Sequence, residues 1–210
     1  MNYKSDILII GAGIAGMSAA IYAAEAGFSV HLITKGDFFT DSNTYYAQGG
    51  IIYKGDNDST ENLIKDILNA GAGLSLLKTV KIIAEEGPFY IQDLLINKAK
   101  INFTKNKGGK LDLTEEAAHS TRRIIHSSDA TGKAIAEGLY KLIKKNKNIK
   151  IYKNHLCIDL ILKHKHTNEI LSIYDRPEVL GAYILALKDK TIDTFLSSNH
   201  PCCWRNRANI

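Results

Sequence analysis

The chain has 210 residues, of which 45% are hydrophobic and 23% are charged, and its formal net charge is +5. This composition is typical of a globular protein with enough apolar material for a core. The basic residues are scattered, apart from residues 141–150, and no aromatic residues alternate with them, which favours a solvated lysine-rich surface over nucleic-acid binding. Three cysteines make no disulfide framework, and no signal sequence or membrane-spanning run is apparent. We therefore expect a soluble cytoplasmic protein.

The beginning of the chain shows the order strand, glycine-rich turn, helix, strand. Residues 6–10 form a short apolar run that is typical of a buried parallel strand. The turn G-A-G-I-A-G follows at residues 11–16, and residues 17–26 have the character of a helix that ends before Gly27. Residues 28–33 then predict a second strand. This order and length predict one βαβ unit of a dinucleotide-binding domain.

Each glycine of the turn has a separate physical purpose in such a unit. Gly11 permits a tight turn, Gly13 lets the backbone approach a pyrophosphate, and Gly16 lets the helix pack closely on the strand. The N-terminus of the helix offers N–H groups and positive dipole to phosphates. The acidic residue that usually holds the ribose in NAD-binding proteins is absent, and the second strand is followed by Thr34-Lys35-Gly36. The residues leave open FAD, or an NADP-like preference through Lys35.

The next segment carries a family resemblance. The stretch D-S-N-T-Y-Y-A-Q-G-G-I at residues 41–51 resembles the flavin-contacting loop of the L-aspartate oxidases, within the succinate dehydrogenase/fumarate reductase flavoprotein family. The resemblance implies that the paired glycines lie against the flavin ring and that the Gln48 amide bonds the flavin edge. It also implies that hydroxyls such as that of Thr44 reach the phosphates. The turn and this resemblance together predict the following FAD-binding residues: Gly11, Ala12, Gly13, Ile14, Ala15, Gly16, Lys35, Asn43, Thr44, Tyr45, Tyr46, Ala47, Gln48, Gly49 and Gly50.

A second block, L-T-E-E-A-A-H-S-T-R-R-I-I-H-S-S-D-A-T-G-K at residues 113–133, is similar to a segment specific to the L-aspartate oxidases. The resemblance implies that Glu116 orients the substrate amino group; without it, Glu116 would be interpreted as a surface or capping residue. Arg122 or Arg123 is expected either to face a carboxylate or a phosphate, or to be a structural partner of Asp129. The histidines at positions 119 and 126 are interpreted as structural or supporting residues.

The resemblance implies a flavoenzyme that oxidises L-aspartate to iminoaspartate for NAD biosynthesis by the quinolinate route. It implies FAD as cofactor, O₂ or fumarate as electron acceptor, and quinolinate synthase as a partner, with no metal and no nucleic acid. Two alternatives stay open. One is a fumarate reductase or succinate dehydrogenase flavoprotein, which is disfavoured because the loop lacks the histidine that usually binds FAD covalently. The other is a non-catalytic FAD-binding remnant.

The remaining segments predict a Rossmann-like α/β domain with an inserted β-meander, incomplete at its C-terminus. Helices are expected over residues 62–68, 79–96 and 130–143, the second of them broken at Gly87-Pro88. One strand is expected over residues 150–162, and a hairpin over 179–187 and 191–195 that turns at 188–190. The domain is expected to occupy residues 1–198.

Residues 199–210, N-H-P-C-C-W-R-N-R-A-N-I, show neither helical nor strand patterning. His200, Cys202 and Cys203 are too few and too crowded for a tetrahedral metal site. Read one base later, the codons of Cys202-Cys203-Trp204 give Ala or Val, Ala or Val, and Gly. Permitted codons turn the whole tail into I-I-L-A-A-G-G-I-G-Q-I, which resembles the family strand that returns to FAD. We therefore interpret the tail as aberrant and frameshifted.

The resemblance covers about the first two-fifths of a typical family member, whose catalytic arginine and remaining substrate-binding residues lie beyond it. From this coverage we expect the chain as given to be a truncated form. We expect it to bind FAD weakly or not at all and to show no turnover.

Overall fold

The computed structural model describes residues 1–37, 39–116, 118–165 and 178–198, so the interpreted tail lies outside the described residues. The chain divides into two compact units, one made of Met1–Tyr45 with Leu139–Ile210 and the other of Tyr46–Gly138. In chain order the elements are β1 (Asn2–Ser5), β2 (Ile7–Ile10), α1 (Ile14–Glu25), β3 (Val30–Ile33), α2 (Asn43–Tyr46), β4 (Ile51–Ile52), α3 (Thr60–Ala70), α4 (Leu77–Tyr90), β5 (Leu113–Thr114), β6 (Ile124–Ile125), α5 (Thr131–Lys145), β7 (Ile149–Tyr152), β8 (His155–Leu162), β9 (Val179–Ala186) and β10 (Thr191–Ser197).

The first unit is built on a parallel sheet of order β2-β3-β7, as the apolar runs of its strands predict. Ile7 pairs with Val30, and Val30 pairs with Ile149. Helix α1 connects the first two strands and buries Met17 and Ala20 completely. The predicted βαβ unit is therefore confirmed, and the glycine-rich turn lies at the carboxyl end of β2.

A second sheet of the same unit has the order β1-β10-β9-β8. Strands β8, β9 and β10 are antiparallel neighbours in succession, while β1 runs parallel to β10. The predicted hairpin is thus confirmed, and the β-meander is present. Side chains of both sheets meet in one buried cluster, to which Leu8 and Ile33 belong together with Ala182, Ile184 and Phe195.

Two predictions about element boundaries are wrong. The strand predicted over residues 150–162 is two strands in different sheets, β7 and β8, because Asn154 between them adopts a positive φ of 56°. The helix predicted to break at Gly87-Pro88 instead runs through Pro88 to Tyr90, and a π-helical segment, Ile91–Lys98, continues from it. The wider i→i−5 pattern continues past the segment, where the Ala99 N–H donates to Leu94.

The second unit contains α3, α4 and a small antiparallel sheet of order β4-β6-β5. Helix α3 starts at a Ser59 cap, whose Oγ accepts from the Asn62 N–H at 3.1 Å. Leu63 of α3 and Val80 of α4 are buried, and the two helices pack against each other. None of the helices in the described part of the chain has the length and apolarity that a membrane crossing needs.

Candidate functional site

The glycine-rich turn has a geometry that other residues would not tolerate. Gly11 has a φ of 110°, in the region that favours glycine. A Cβ on Gly16 would lie 1.9 Å from the Gly11 carbonyl oxygen, so helix α1 can only approach the turn without a side chain there. Gly13 precedes α1, and its carbonyl accepts from the Met17 N–H at 2.9 Å. Gly11 and Gly16 thus have the conformational roles that the sequence predicts, while the approach of Gly13 to a pyrophosphate stays a prediction.

Thr44 lies at this turn, within the same unit. Its Oγ1 accepts a hydrogen bond from the Ile14 N–H, the first N–H of α1, at 3.0 Å. A Cβ on Gly13 would lie 3.4 Å from the same oxygen. A threonine hydroxyl has one proton to donate besides the lone pair used here. Thr44 can therefore donate that proton to an anion at the N-terminus of α1.

The segment predicted as a flavin-contacting loop begins with a helical turn. Asn43, Thr44, Tyr45 and Tyr46 form α2, and residues 47–50 form the loop proper before β4. The Ala47 carbonyl accepts from the Gly132 N–H at 2.9 Å. The side chain of Gln48 is exposed, as are those of Tyr46 and Lys35.

The two loop glycines differ in their surroundings. A Cβ on Gly50 would lie 2.2 Å from Ile124 Cγ2 and 2.7 Å from the Ile125 carbonyl oxygen. Strand β6 therefore requires glycine at this position for packing within the second unit. A Cβ on Gly49 would meet only the Glu116 carboxylate, at 3.7 Å and 3.9 Å, so the backbone at Gly49 is open on that side.

Glu116 lies against this loop, as a functional interpretation of the second block requires. Its Oε1 accepts a hydrogen bond from the Gly50 N–H at 3.1 Å, although 66 residues separate the two positions. The side chain is exposed, and the Glu116 carbonyl accepts from the His119 N–H at 2.9 Å. The structure thus brings the predicted acid to the predicted loop.

Arg123 is fully buried and is held by two carboxylates. Its Nε and Nη2 donate to the two oxygens of Asp58 at 2.6 Å and 2.8 Å, in a bidentate pair. Its Nη1 donates to Asp66 Oδ2 at 2.5 Å and also contacts His119 Nδ1 at 3.0 Å. These contacts show that Arg123 is a structural cation of the second unit. Its partners are Asp58 and Asp66, and not the predicted Asp129.

This network lowers the pKa of both carboxyl groups. Hydrogen bonding from Arg123 lowers the pKa of Asp58. At Asp66, burial opposes ionisation, but hydrogen bonds from the Ser120 N–H, from Arg123 and from the Ser120 hydroxyl lower its pKa to about 2. The Ser120 N–H and Oγ each lie 2.9 Å from Asp66 Oδ2.

Arg122 and His126 of the block also have structural surroundings. Arg122 donates from Nε to the Leu113 carbonyl at 2.7 Å, and its own carbonyl leaves no room for a Cβ on Gly55. Nε2 of His126 lies 3.4 Å from Asp112 Oδ2, but the alignment gives no hydrogen bond. These contacts agree with the structural alternative for both residues.

Asp58 and Asp66 are the residues that the sequence interpretation missed. Asp66 shares the buried stripe of α3 with Leu63, because positions i and i+3 lie on one face of a helix. A carboxylate at a core-facing position indicates a buried cationic partner. The position of Asp66 on the apolar face of α3 could therefore have predicted this buried ion-pair network from the sequence.

Comparison with known protein families identifies the cofactor of this chain. Residues 6–200 match the family model described as FAD binding domain. The chain belongs to the FAD binding domain family. Its cofactor is therefore FAD, and the residues present fit that cofactor. The turn has no room for a Cβ at Gly16, and the Thr44 hydroxyl at the N-terminus of α1 has a proton to donate.

Proteins similar in sequence to this chain include L-aspartate oxidases, which confirms the resemblance to that family. The chain is 36% identical over 197 residues to the L-aspartate oxidase of Acinetobacter baylyi, covering 93% of this chain and 35% of the relative. It is 41% identical over 161 residues to that of Clostridium acetobutylicum, covering 77% of this chain and 36% of the relative. The chain thus spans about a third of the length of these relatives.

Solved structures share the fold. A quinol fumarate reductase from E. coli has a TM-score of 0.85 at 21% identity, covering 97% of this chain and 33% of that chain. An Sdh1 complex from Mycobacterium smegmatis has a TM-score of 0.80 at 24% identity, covering 93% of this chain and 33% of that chain. These similarities confirm the predicted α/β FAD-binding fold.

Proposed function

We propose that this chain serves the FAD-dependent oxidation of L-aspartate to iminoaspartate. The observation that carries the proposal is the hydrogen bond from the Gly50 N–H to Glu116, which joins the loop to an exposed carboxylate. Similarity to L-aspartate oxidases over 93% of the chain in one case supports the choice of substrate.

The proposed FAD-binding residues fall into two groups. In the first unit the turn at residues 11–16, Lys35 and residues 43–45 would hold the phosphate-bearing part, with the α1 N-terminus and the Thr44 hydroxyl as donors. In the second unit residues 46–50 would hold the flavin. When bound, FAD supplies the capacity to accept a hydride from the substrate carbon.

Glu116 is proposed to bind the amino group of the substrate. A carboxylate accepts up to four hydrogen bonds and attracts a cationic amine, and one of its oxygens is already fixed by the Gly50 N–H. Fixing one oxygen orients the other, which reduces the entropy lost when the substrate binds.

The electron acceptor, O₂ or fumarate, belongs to the same proposal. So do quinolinate synthase as a partner, a place in NAD biosynthesis and a cytoplasmic location. The proposed domain comprises residues 1–198, and the frameshift interpretation of residues 199–210 is tested by the nucleotide sequence of the locus.

A chimera tests the proposed activity. Residues 1–198 replace the matched segment of the Acinetobacter baylyi relative, and aspartate-dependent consumption of O₂ or fumarate is measured with the flavin content. We expect a flavin-loaded chimera that oxidises L-aspartate. A flavin-loaded chimera that oxidises succinate instead would support the fumarate reductase type, and one that binds FAD without turning over either substrate would support a non-catalytic remnant.

A further inference from the structure

The imidazole of His119 is held by a group that can only donate. Nδ1 of His119 lies 3.0 Å from Arg123 Nη1. A guanidinium has five N–H donors and no acceptor, so Nδ1 must be the acceptor of this hydrogen bond. Nδ1 therefore carries no proton, and the single N–H of the imidazole ring is at Nε2.

The guanidinium itself is held by four hydrogen bonds. Nε and Nη2 are taken by Asp58, and Nη1 divides its two protons between Asp66 and His119. The side chain is fully buried, which removes water as a competing partner. Rotation of Arg123 away from His119 would break the two ion pairs, so the contact that sets the tautomer is rigid.

The same network holds the backbone next to His119. Asp66 Oδ2 accepts from both the N–H and the hydroxyl of Ser120, at 2.9 Å each. The His119 N–H donates to the Glu116 carbonyl, so the backbones of these two residues are joined by a hydrogen bond. The backbone on the C-terminal side of His119 is therefore anchored by Asp66.

Resting on the proposed function, we propose that His119 is a second substrate-binding residue and that Arg123 is the positioning residue that sets its tautomer. An Nε2–H is a neutral donor that suits a carboxylate, and a dicarboxylate amino acid has carboxylates to offer besides the amine assigned to Glu116. Glu116 alone would leave both substrate carboxylates without a partner in this part of the chain. His119 supplies a donor a few residues away.

Nuclear magnetic resonance of the full chain, labelled with ¹⁵N at its seven histidines, tests the positioning role. The His119 signals are assigned by their loss in His119→Gln. We expect the pattern of an imidazole protonated at Nε2 and bare at Nδ1, and an Arg123→Met variant is expected to lose this single tautomer. The reverse tautomer, or a mixture, in the unmutated chain would overturn the proposal.

Titration of the same sample tests the substrate role. L-aspartate and succinate are expected to shift the His119 Nε2 resonance in a saturable manner, whereas ethylamine, which has no carboxylate, is expected to leave it in place. The His126 signals serve as the internal control. Comparable shifts with ethylamine, or no shift with either dicarboxylate, would overturn the substrate role.

Two variants separate a binding role from a structural one. Glutamine places its amide nitrogen near the position of Nε2, and asparagine places it near that of Nδ1. In the chimera, His119→Gln is expected to retain most of the affinity for aspartate, and His119→Asn is expected to raise KM about 10-fold with little change in kcat, as loss of one hydrogen bond to a charged group predicts. Equal effects of both variants would contradict the proposal. If the chimera does not oxidise aspartate but succinate still shifts the His119 Nε2 resonance, the proposed function is wrong. The role of His119 as a carboxylate-binding residue would then stand by itself.

Discussion

Gly16 and Gly50 are glycine because backbone or side-chain atoms occupy the place of a Cβ. At Gly16 the obstacle is the Gly11 carbonyl, a part of the turn that cannot move without changing the phosphate-binding backbone. At Gly50 the obstacle is strand β6. The spacing of a glycine motif is visible in a sequence, and so the first requirement was predictable. The second depends on packing between segments more than 70 residues apart and was not.

Replacing Gly16 by alanine tests the first requirement. We expect Gly16→Ala to lower the free energy of unfolding by about 1–3 kcal/mol, as overpacking against fixed atoms does. Gly87→Ala is the matched helical control, because nothing lies within 4 Å of its Cβ position, and it is expected to raise stability by up to about 1 kcal/mol. Urea unfolding measures both. Equal effects of the two substitutions would show that the close contact at Gly16 is not limiting.

Replacing Arg123 by methionine tests the buried network. The change leaves Asp58 and Asp66 without their cation in a buried environment, so we expect a loss of about 3–5 kcal/mol in the free energy of unfolding. Arg122→Met, at the neighbouring exposed residue, removes one hydrogen bond and is expected to cost about 1 kcal/mol. Similar losses for the two variants in denaturant unfolding would contradict the structural role assigned to Arg123.

Replacing Glu116 by glutamine tests the proposed amine contact. Loss of a charge-assisted hydrogen bond of about 1.5–3 kcal/mol predicts a roughly 10- to 100-fold lower kcat/KM for aspartate in the chimera. Glu115→Gln, at the adjacent exposed carboxylate, is the control and is expected to leave kcat/KM unchanged. The interpretation fails if the two variants behave alike.

At the scale of elements, the packing of the two sheets of the first unit includes an unusual residue, His31 of β3. Its ring contacts Tyr152 and Phe195, with centroids 5.0 Å and 5.8 Å away, and its Nδ1 is buried without a hydrogen-bond partner among the described residues. Burial lowers the pKa of His31 below its ordinary value of 6.5, and the charge of Lys150 lowers it further. Protonation therefore opposes the packing of the sheets.

This arrangement predicts a pH dependence of stability. Because the folded-state pKa lies below the unfolded-state value, the unfolded chain binds the proton more tightly, and stability falls as pH drops below about 6.5. We expect His31→Phe to flatten this slope between about pH 7 and about pH 5, measured by urea unfolding at each pH. An unchanged slope in His31→Phe would assign the pH dependence elsewhere.

The elements were predictable to different degrees for physical reasons. The βαβ unit and the hairpin follow from apolar runs and turn residues that are local in the sequence. The division of residues 150–162 into β7 and β8 depends on a left-handed conformation at Asn154, which many asparagines do not adopt. Passage of α4 through Pro88 was not predictable, because proline is ordinarily a local helix breaker.

At the scale of the whole molecule, the chain carries the FAD-binding family match over residues 6–200 and about a third of the length of its oxidase relatives. Glu116 and the loop were predictable because each lies in a stretch that resembles the L-aspartate oxidases. The network that supports them was not, because Asp58 and Asp66 meet Arg123 only in the folded unit.

The rates of the chimera with L-aspartate and with succinate, measured side by side as kcat/KM under one electron acceptor, test the central claim most directly. The proposed contact of Glu116 with an amine predicts a clear preference for L-aspartate, since succinate lacks the amino group. Turnover of succinate at an equal or higher kcat/KM, in a chimera that is fully loaded with flavin, would contradict it.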